Sequence, residues 1–219
     1  AERRIRILKE AGYNSIRSAH NPTSRAILRA CDRLGMYVMD ETFDMWYIPK
    51  TYHDYSRDFA ENYKSDIAAL VNRDYNYPCV VMYSIGNENS ELGSDKGIQL
   101  LKEQAELVKS LDSTRIVTIG ANLMLMGGKK LYAEDTNYKR EPLDPSKSKD
   151  LMANLDKQGS TGFNTIMNLL PALIQSASKG KKSAANTDKL VPYVDILGLN
   201  YGTPRYEEDI ARDPNRIYC

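Results

Sequence analysis

The stretch of sequence that most limits the fold is an apolar run that ends in a carboxylate. Residues 80–85 form a run of strand length, rich in residues that favour β-strands, and it leads into Gly86, Asn87 and Glu88. Strands buried on both faces are typical of parallel sheets, and parallel α/β barrels hold catalytic groups at the carboxyl ends of such strands. The run therefore predicts a buried parallel strand that presents Glu88 at its tip.

Short apolar segments alternate with amphipathic segments along the chain. Strands are expected near residues 15, 37, 80, 116, 194 and 217. Helices are expected to end at Gly12 and to cover roughly residues 23–34, 56–73, 97–110, 163–177 and 205–212. This alternation predicts an α/β fold with a parallel sheet, either doubly wound or an incomplete (β/α)8 barrel. No GxGxxG motif follows the first strand, which weakens the dinucleotide-binding alternative.

Three connecting segments are expected to lie outside regular helices and strands. The segment 42–55 carries Asp44, Trp46 and His53. The segment 126–159 is polar and rich in Lys, Asp and Pro, so we expect a long loop at the top of a barrel. The basic segment 179–182 is expected to be a solvated turn.

Composition narrows the class of function. The net charge of +1 over 219 residues offers no basic surface for nucleic acid. No run approaches the roughly 18 apolar residues of a membrane helix, and no signal peptide opens the sequence. Cys31, Cys79 and Cys219 are widely spaced without a CxxC motif, which argues against a zinc site or a disulfide framework. We expect one globular domain over residues 1–219 that binds neither nucleic acid nor membrane, and its compartment stays open.

Polar side chains follow the expected strands at the points where the strands end. They are His20, Asp40, Glu41, Asn87, Glu88, Asn122, Asn200 and Tyr201. The carboxyl ends of parallel strands meet at one face of a barrel, and barrel enzymes build their active sites there. The sequence therefore favours a barrel with an active site on this face.

Three segments of the chain resemble the signatures of glycoside hydrolase family 2. They are NSIRSAHNP at 14–22, DRLGMYVMDE at 32–41 and YSIGNE at 83–88. The family includes β-galactosidases, β-glucuronidases and β-mannosidases, so the resemblance implies a (β/α)8 catalytic barrel, of which about strands 2–7 are present.

The resemblance also implies roles for individual residues. Glu88 matches the general acid/base, and Asn87 matches the residue that binds the sugar 2-hydroxyl. His20 matches a substrate-binding histidine, and Tyr201 matches the tyrosine that supports the nucleophile. Further polar residues are expected to line the site: Arg17, Asp40 and Glu41.

The sequence departs from the family at the nucleophile. That residue is a glutamate at the end of the seventh strand, whereas this sequence stops at Cys219. We therefore expect a part of a larger retaining enzyme, the parent enzyme, most like a β-galactosidase. Because double displacement needs two carboxylates, we expect the 219-residue chain alone to be inactive. The alternatives are an endo-β-glucanase or mannanase of the same clan and a non-catalytic sugar-binding fragment.

Each candidate residue also has an ordinary structural interpretation. Asn87-Glu88 would by itself more often start a helix, and Tyr201 would equally fit a core tyrosine. Trp46 is expected either to stack on a sugar or to pack against its own loop. Asp40 and Glu41 suit a hard cation such as Mg²⁺, but an ion pair with Arg17 is at least as plausible.

No cofactor is required by this chemistry, although the parent enzyme leaves room for Mg²⁺ or Na⁺. The two histidines, His20 and His53, lie far apart in the sequence, so a metal centre built on histidine is weakly indicated. The missing strands would leave exposed sheet edges, which predicts self-association of the chain.

Overall fold

The strands form one parallel sheet in a computed structural model, which describes residues 1–51, 53–126 and 181–219. They are β1 (Ser15–Arg17), β2 (Tyr37–Glu41), β3 (Val80–Asn87), β4 (Ile116–Asn122) and β5 (Ile196–Asn200). Their spatial order is the order of the sequence, and every neighbouring pair is parallel. Parallel neighbours need crossover connections, so the carboxyl ends of all five strands lie along one rim.

One helix precedes the first strand, and the other helices follow the strands. They are α1 (Glu2–Glu10), α2 (Arg25–Leu34), α3 (Ser56–Asp74), α4 (Asp95–Leu111), α5 (Leu123–Met126), α6 (Lys181–Asp188) and α7 (Tyr206–Arg212). Local chemistry sets several ends: the Ser24 hydroxyl accepts a hydrogen bond from the Ile27 amide and caps α2. Gly35 ends α2 with a φ of 70°, a conformation that glycine adopts without strain. Ser94 caps α4 in the same way through the Gly97 amide.

The predicted order of strands and helices is confirmed over the described residues. The expected last strand is present as a single parallel bridge between Tyr218 and Leu197 at the edge of the sheet beyond β5. The predicted basic turn at 179–182 is wrong in its second half, because α6 already begins at Lys181. The expected loop at 126–159, apart from Met126 at the end of α5, and the expected helix at 163–177 lie outside the described residues.

The core lies between the sheet and its helices. Buried apolar side chains come from both layers and include Ile5, Leu28, Val38, Phe59, Ile67, Val80, Ile85, Leu101, Val108, Val117 and Ile119. Burial of large aliphatic and aromatic side chains of this kind supplies most of the free energy of folding. No helix within the described part of the chain is both long and apolar enough to span a bilayer.

An aromatic cluster fixes the connection between β2 and α3, residues 42–55. The ring of Phe59 on α3 packs edge-on against Phe43 at 5.3 Å and stacks on Tyr63 at 4.9 Å between centroids. Trp46 is fully buried, and its ring lies 6.4 Å from that of Phe59. Because aromatic rings contribute large buried areas, these contacts hold this long connection against the domain.

Candidate active site

Four strand ends bring polar side chains together at the rim of the sheet. Arg17 ends β1, Glu41 ends β2, Asn87 ends β3 and Asn200 ends β5. A glycine, Gly120, faces this group from β4, and a Cβ atom there would lie 2.8 Å from the Arg17 guanidinium. The missing side chain therefore leaves the space in which the four side chains meet.

Arg17 connects the other three strand ends. Its guanidinium donates to the Glu41 carboxylate at 2.8 Å, to the Asn87 Oδ1 at 2.9 Å and to the Asn200 Oδ1 at 3.3 Å. A guanidinium presents several donors in a fixed plane, which suits it to hold three acceptors at once. Arg17 thus sets the relative positions of β1, β2, β3 and β5 at the rim.

The Glu41 carboxylate is completely buried and fully engaged by donors. One oxygen accepts from Arg17 and from the Ser84 hydroxyl at 2.7 Å, and the other lies 2.8 Å from Nδ1 of His20. A buried carboxylate next to Nδ1 favours the tautomer in which Nδ1 carries the proton. The Nε2 atom of the half-exposed His20 is then an acceptor for a ligand hydroxyl.

Glu88 lies directly after β3 and is held at two points. Its Oε1 accepts a hydrogen bond from Nδ2 of Asn200 at 3.0 Å, and its backbone amide donates to the Gly120 carbonyl at 2.7 Å. The side chain is half-buried, so the carboxylate lies at the rim instead of inside the core. A carboxylate in this position can receive and release a proton at the open face of the sheet.

Two residues of the rim have strained backbone conformations. Among the described non-glycine residues, positive φ angles occur at Glu88, with 49°, and at Tyr201, with 58°. Such conformations are unfavourable for residues with a Cβ atom and concentrate at functional sites. Partial burial, and then the charge of Glu88, raise the pKa of Tyr201, so the two side chains are close enough to interact electrostatically.

The structure does not bring two of the predicted site residues into this group. Asp40 is fully buried and points to the opposite face of β2, where it binds the Ser18 hydroxyl, the Thr23 amide and the Arg73 guanidinium. Trp46 is fully buried, and its indole donates to the Ile85 carbonyl at 3.1 Å. Neither side chain has surface available to a sugar. Asp40 is turned away because successive side chains of β2 point to opposite faces, and Trp46 is covered by the packing of its loop.

Mg²⁺ does not fit the Asp40 and Glu41 carboxylates in this structure. The two side chains leave β2 on opposite faces, and each is already surrounded by protein donors. The ion pair between Glu41 and Arg17, with a separation of 2.6 Å, is the arrangement present. Among the described residues no cluster of three or more His, Cys, Asp or Glu side chains suits a metal ion.

Three residues of the site were not predicted as site residues from the sequence: Ser84, Asp44 and Lys50. Ser84 is the register partner of Glu41. Asn200, which the sequence placed among the polar strand ends without a role, ends β5 just before Tyr201. The side chains of Asp44 and Lys50, from the β2–α3 connection, both contact Asn87. The strand alternation predicts Ser84 once the register is known, but no motif identifies the two loop residues.

A pocket of about 610 Å³ adjoins the rim on the side of α3. His20 and Asp44 line the pocket where it meets the polar side chains of the strand ends. Tyr55, Leu70 and Arg73 line it on the side of α3. The polar rim thus opens onto a space large enough for a small ligand group.

Comparison with known proteins relates this geometry to a family. Residues 2–158 match the family described as glycosyl hydrolases family 2, TIM barrel domain. The chain belongs to glycosyl hydrolase family 2. The five-stranded parallel sheet is accordingly an incomplete (β/α)8 barrel, as expected from the sequence, and its carboxyl-end rim is the face on which such barrels carry active sites.

Family 2 relatives resemble the chain over part of their length. The β-galactosidase BoGH2A of Bacteroides ovatus is 42% identical over 152 residues, which covers 55% of this chain and 18% of that protein. The β-glucuronidase of Mus musculus is 34% identical over 117 residues, which covers 53% and 17% respectively. A solved structure of a family 2 member from Bacteroides cellulosilyticus has a TM-score of 0.69 at 33% identity and covers 99% of this chain and 20% of that one. The chain thus spans about a fifth of the length of these family 2 proteins.

Proposed function

We propose that this chain is the central part of the catalytic barrel of a retaining β-glycosidase, in which Glu88 is the general acid/base. The observation that carries the proposal is the position of Glu88: a half-buried carboxylate at the tip of a buried strand, held by Asn200 beside Asn87 and Tyr201. Glycosidases of this kind protonate the leaving oxygen with one carboxylic acid and then use the same group as a base toward water. Membership of family 2 supports the same reaction class.

The neighbours of Glu88 have complementary roles in this proposal. Nε2 of His20 accepts a hydrogen bond from a sugar hydroxyl, because Nδ1 is turned toward Glu41. The Asn87 amide donates to the hydroxyl next to the reacting carbon. Hydrogen bonds to this hydroxyl that strengthen in the transition state supply several kcal/mol in glycosidases. Arg17 and Glu41 do not touch the sugar but hold the strand ends in register.

The proposed mechanism needs a second carboxylate about 5–5.5 Å from Glu88 to attack the sugar. We place this nucleophile in the parent enzyme, after Cys219 in the sequence. Tyr201 lies at the end of the neighbouring strand, where it is suited to contact the nucleophile. The 219-residue chain then binds sugar weakly at best and does not catalyse double displacement.

We propose β-galactosides as the substrates of the parent enzyme. The relative with 42% identity is a β-galactosidase, whereas the β-glucuronidase of Mus musculus is 34% identical. An endo-β-glucanase or mannanase receives no support from the family match.

Hydrolysis of nitrophenyl β-glycosides tests the proposal. The parent enzyme is expected to hydrolyse the β-galactoside faster than the β-glucuronide and the β-mannoside, with retention of the anomeric configuration by NMR. The 219-residue chain is expected to hydrolyse none of them. Inversion of configuration would contradict the double displacement, and turnover by the 219-residue chain would contradict the placement of the nucleophile.

We also propose that the 219-residue chain self-associates. Among the strands that the structure describes, β1 has a neighbour on one side only, so its outer side presents unpaired backbone groups. Light scattering of the dilute chain is expected to give a mass above that of one copy, 24.8 kDa. A stable monomer would contradict this proposal and would leave the assignment of Glu88 unaffected.

A further inference from the structure

The connection between β2 and α3 is held at several of its described residues. Phe43 and Trp46 pack on Phe59. The backbone amide of Ile48 donates to the Glu91 carboxylate at 2.6 Å, and the amides of Lys50 and Thr51 donate to the Asp54 carboxylate at 2.6 and 2.8 Å. Side chains that project from this connection therefore have defined positions.

Two charged side chains of this connection reach the end of β3. Oδ1 of Asp44 accepts from Nδ2 of Asn87 at 3.0 Å and from Nζ of Lys50 at 2.5 Å. The same ammonium group donates to the backbone carbonyl of Asn87 at 2.5 Å. Both charged side chains remain partly exposed to solvent, by 31% for Asp44 and 27% for Lys50.

The contacts of Asn87 determine the orientation of its amide. Oδ1 accepts from Arg17 at 2.9 Å and from Asn200 at 2.8 Å, which occupies both lone pairs. Nδ2 donates one hydrogen bond to Asp44, and among the described residues its second N–H has no acceptor, which leaves it for a ligand. Asp44 thereby fixes the direction in which this last N–H points.

The peptide bond between Asn87 and Glu88 is held at both ends. Its carbonyl accepts from Lys50, and its N–H donates to the Gly120 carbonyl at 2.7 Å. Because this peptide plane is fixed on both sides, the backbone of Glu88 can change only by rotation about its own φ and ψ bonds. Lys50 thereby contributes to the left-handed conformation that directs the Glu88 side chain.

We propose that Asp44 and Lys50 are positioning residues for the glycosidase reaction: Asp44 aims the Asn87 amide at the sugar hydroxyl next to the reacting carbon, and Lys50 holds the peptide that orients Glu88. This inference rests on the proposed function, because it assigns the partners of that same site. Neither residue touches the reacting atoms; each acts through the residue that it binds.

The role of Asp44 is tested in the parent enzyme with a nitrophenyl β-glycoside and its 2-deoxy analogue. Asp44→Ala is expected to lower kcat/KM about tenfold on the first substrate and less than about twofold on the second, because the lost contact serves the 2-hydroxyl. The exposed Glu61, on α3, provides a control: Glu61→Ala is expected to leave both rates unchanged. Equal losses on the two substrates, or no loss, would overturn the role of Asp44.

The role of Lys50 gives a different pattern. Lys50→Met is expected to lower kcat about tenfold on both substrates with little change in KM, because a misdirected Glu88 slows every substrate. Lys50→Arg keeps a donor for the Asn87 carbonyl and is expected to recover most of the rate. A loss confined to KM, or no recovery with arginine, would overturn this role.

A structural measurement separates the failure of this inference from that of the proposed function. If the wild-type parent enzyme hydrolyses no β-glycoside, the proposed function is wrong, and crystal structures of wild type and Asp44→Ala then decide the positioning role. A rotated Asn87 amide in the variant supports it. An amide in its wild-type orientation would overturn it.

Discussion

Removal of the Arg17 guanidinium tests whether the rim is a single connected unit. Arg17→Met keeps most of the aliphatic volume but leaves the buried Glu41 carboxylate with His20 and Ser84 as its partners. Loss of one partner from a buried ion pair typically costs about 3–5 kcal/mol. The side chain of Arg17 is 28% exposed, so water can partly replace it, and we expect a loss near the lower limit, about 3 kcal/mol.

Urea denaturation of the 219-residue chain measures this loss through the fluorescence of Trp46, with all variants at one protein concentration because self-association makes the midpoint depend on concentration. This residue is the single tryptophan of the sequence and is fully buried. With a slope of about 2 kcal/mol per molar urea, the loss corresponds to a midpoint lowered by about 1.5 M. Arg33→Met is the control, because Arg33 pairs with Glu2 on the surface, where such pairs contribute about 0–1 kcal/mol.

A double-mutant cycle then separates a shared network from two independent defects. Glu41→Gln alone leaves Arg17 without its charged partner, whereas the double variant leaves no unpaired charge. We expect the double variant to be about as stable as the less stable of the two single variants. This result corresponds to a coupling energy of about 2–3 kcal/mol between Arg17 and Glu41. Strictly additive losses from the two changes would refute the argument that Arg17 and Glu41 act as a pair.

Three further predictions concern other parts of the molecule. Glu88→Gln in the parent enzyme is expected to lower kcat/KM about 10²–10⁴-fold on glycosides with poor leaving groups and far less on dinitrophenyl glycosides, and equal losses would remove Glu88 from the acid role. Burial raises the pKa of Asp74 to about 7 from its usual 3.8, so the folded state holds a proton that the unfolded state releases, and this stabilisation is lost as the pH rises toward 7. The melting temperature of wild type should therefore fall between pH 5 and pH 8 relative to that of Asp74→Asn, and parallel pH profiles would contradict it. Gly120→Ala places a Cβ atom 2.8 Å from the Arg17 guanidinium and 3.3 Å from Oδ1 of Asn87, so it is expected to reduce kcat/KM of the parent enzyme while circular dichroism stays unchanged.

The sequence predicted the fold well because its periodicity reflects burial directly. From Tyr83 to Asn87 the parallel strand is buried on both faces, as expected, whereas Val81 is exposed and Met82 is partly buried. The ends of β2, β3 and β5 followed from the same pattern, so Glu41, Asn87, Glu88 and Asn200 were found. Arg17 was found through the resemblance to the family signatures instead. The geometry that separates Asp40 from Glu41 depends on which face of β2 points to the rim, and no periodic pattern in a five-residue strand decides this.

The loop residues show where sequence reasoning stops. Trp46 was chosen because an aromatic side chain can stack on a sugar, but packing on Phe59 buries it. Asp44 was named only as part of the segment 42–55, and Lys50 was not named at all. Their contacts with Asn87 depend on a tertiary arrangement of the loop that no local propensity encodes.

The contact between Arg17 and Asn200 has a consequence for how the protein folds. This contact joins residues 183 positions apart in the sequence, so we expect the rim to assemble late, after the distant strand has docked. A partly folded chain that has formed β1 to β3 already displays Glu88 but lacks the amide of Asn200 that holds its carboxylate. If the proposed function holds, we expect the parent enzyme to regain glycosidase activity during refolding only after β5 has docked.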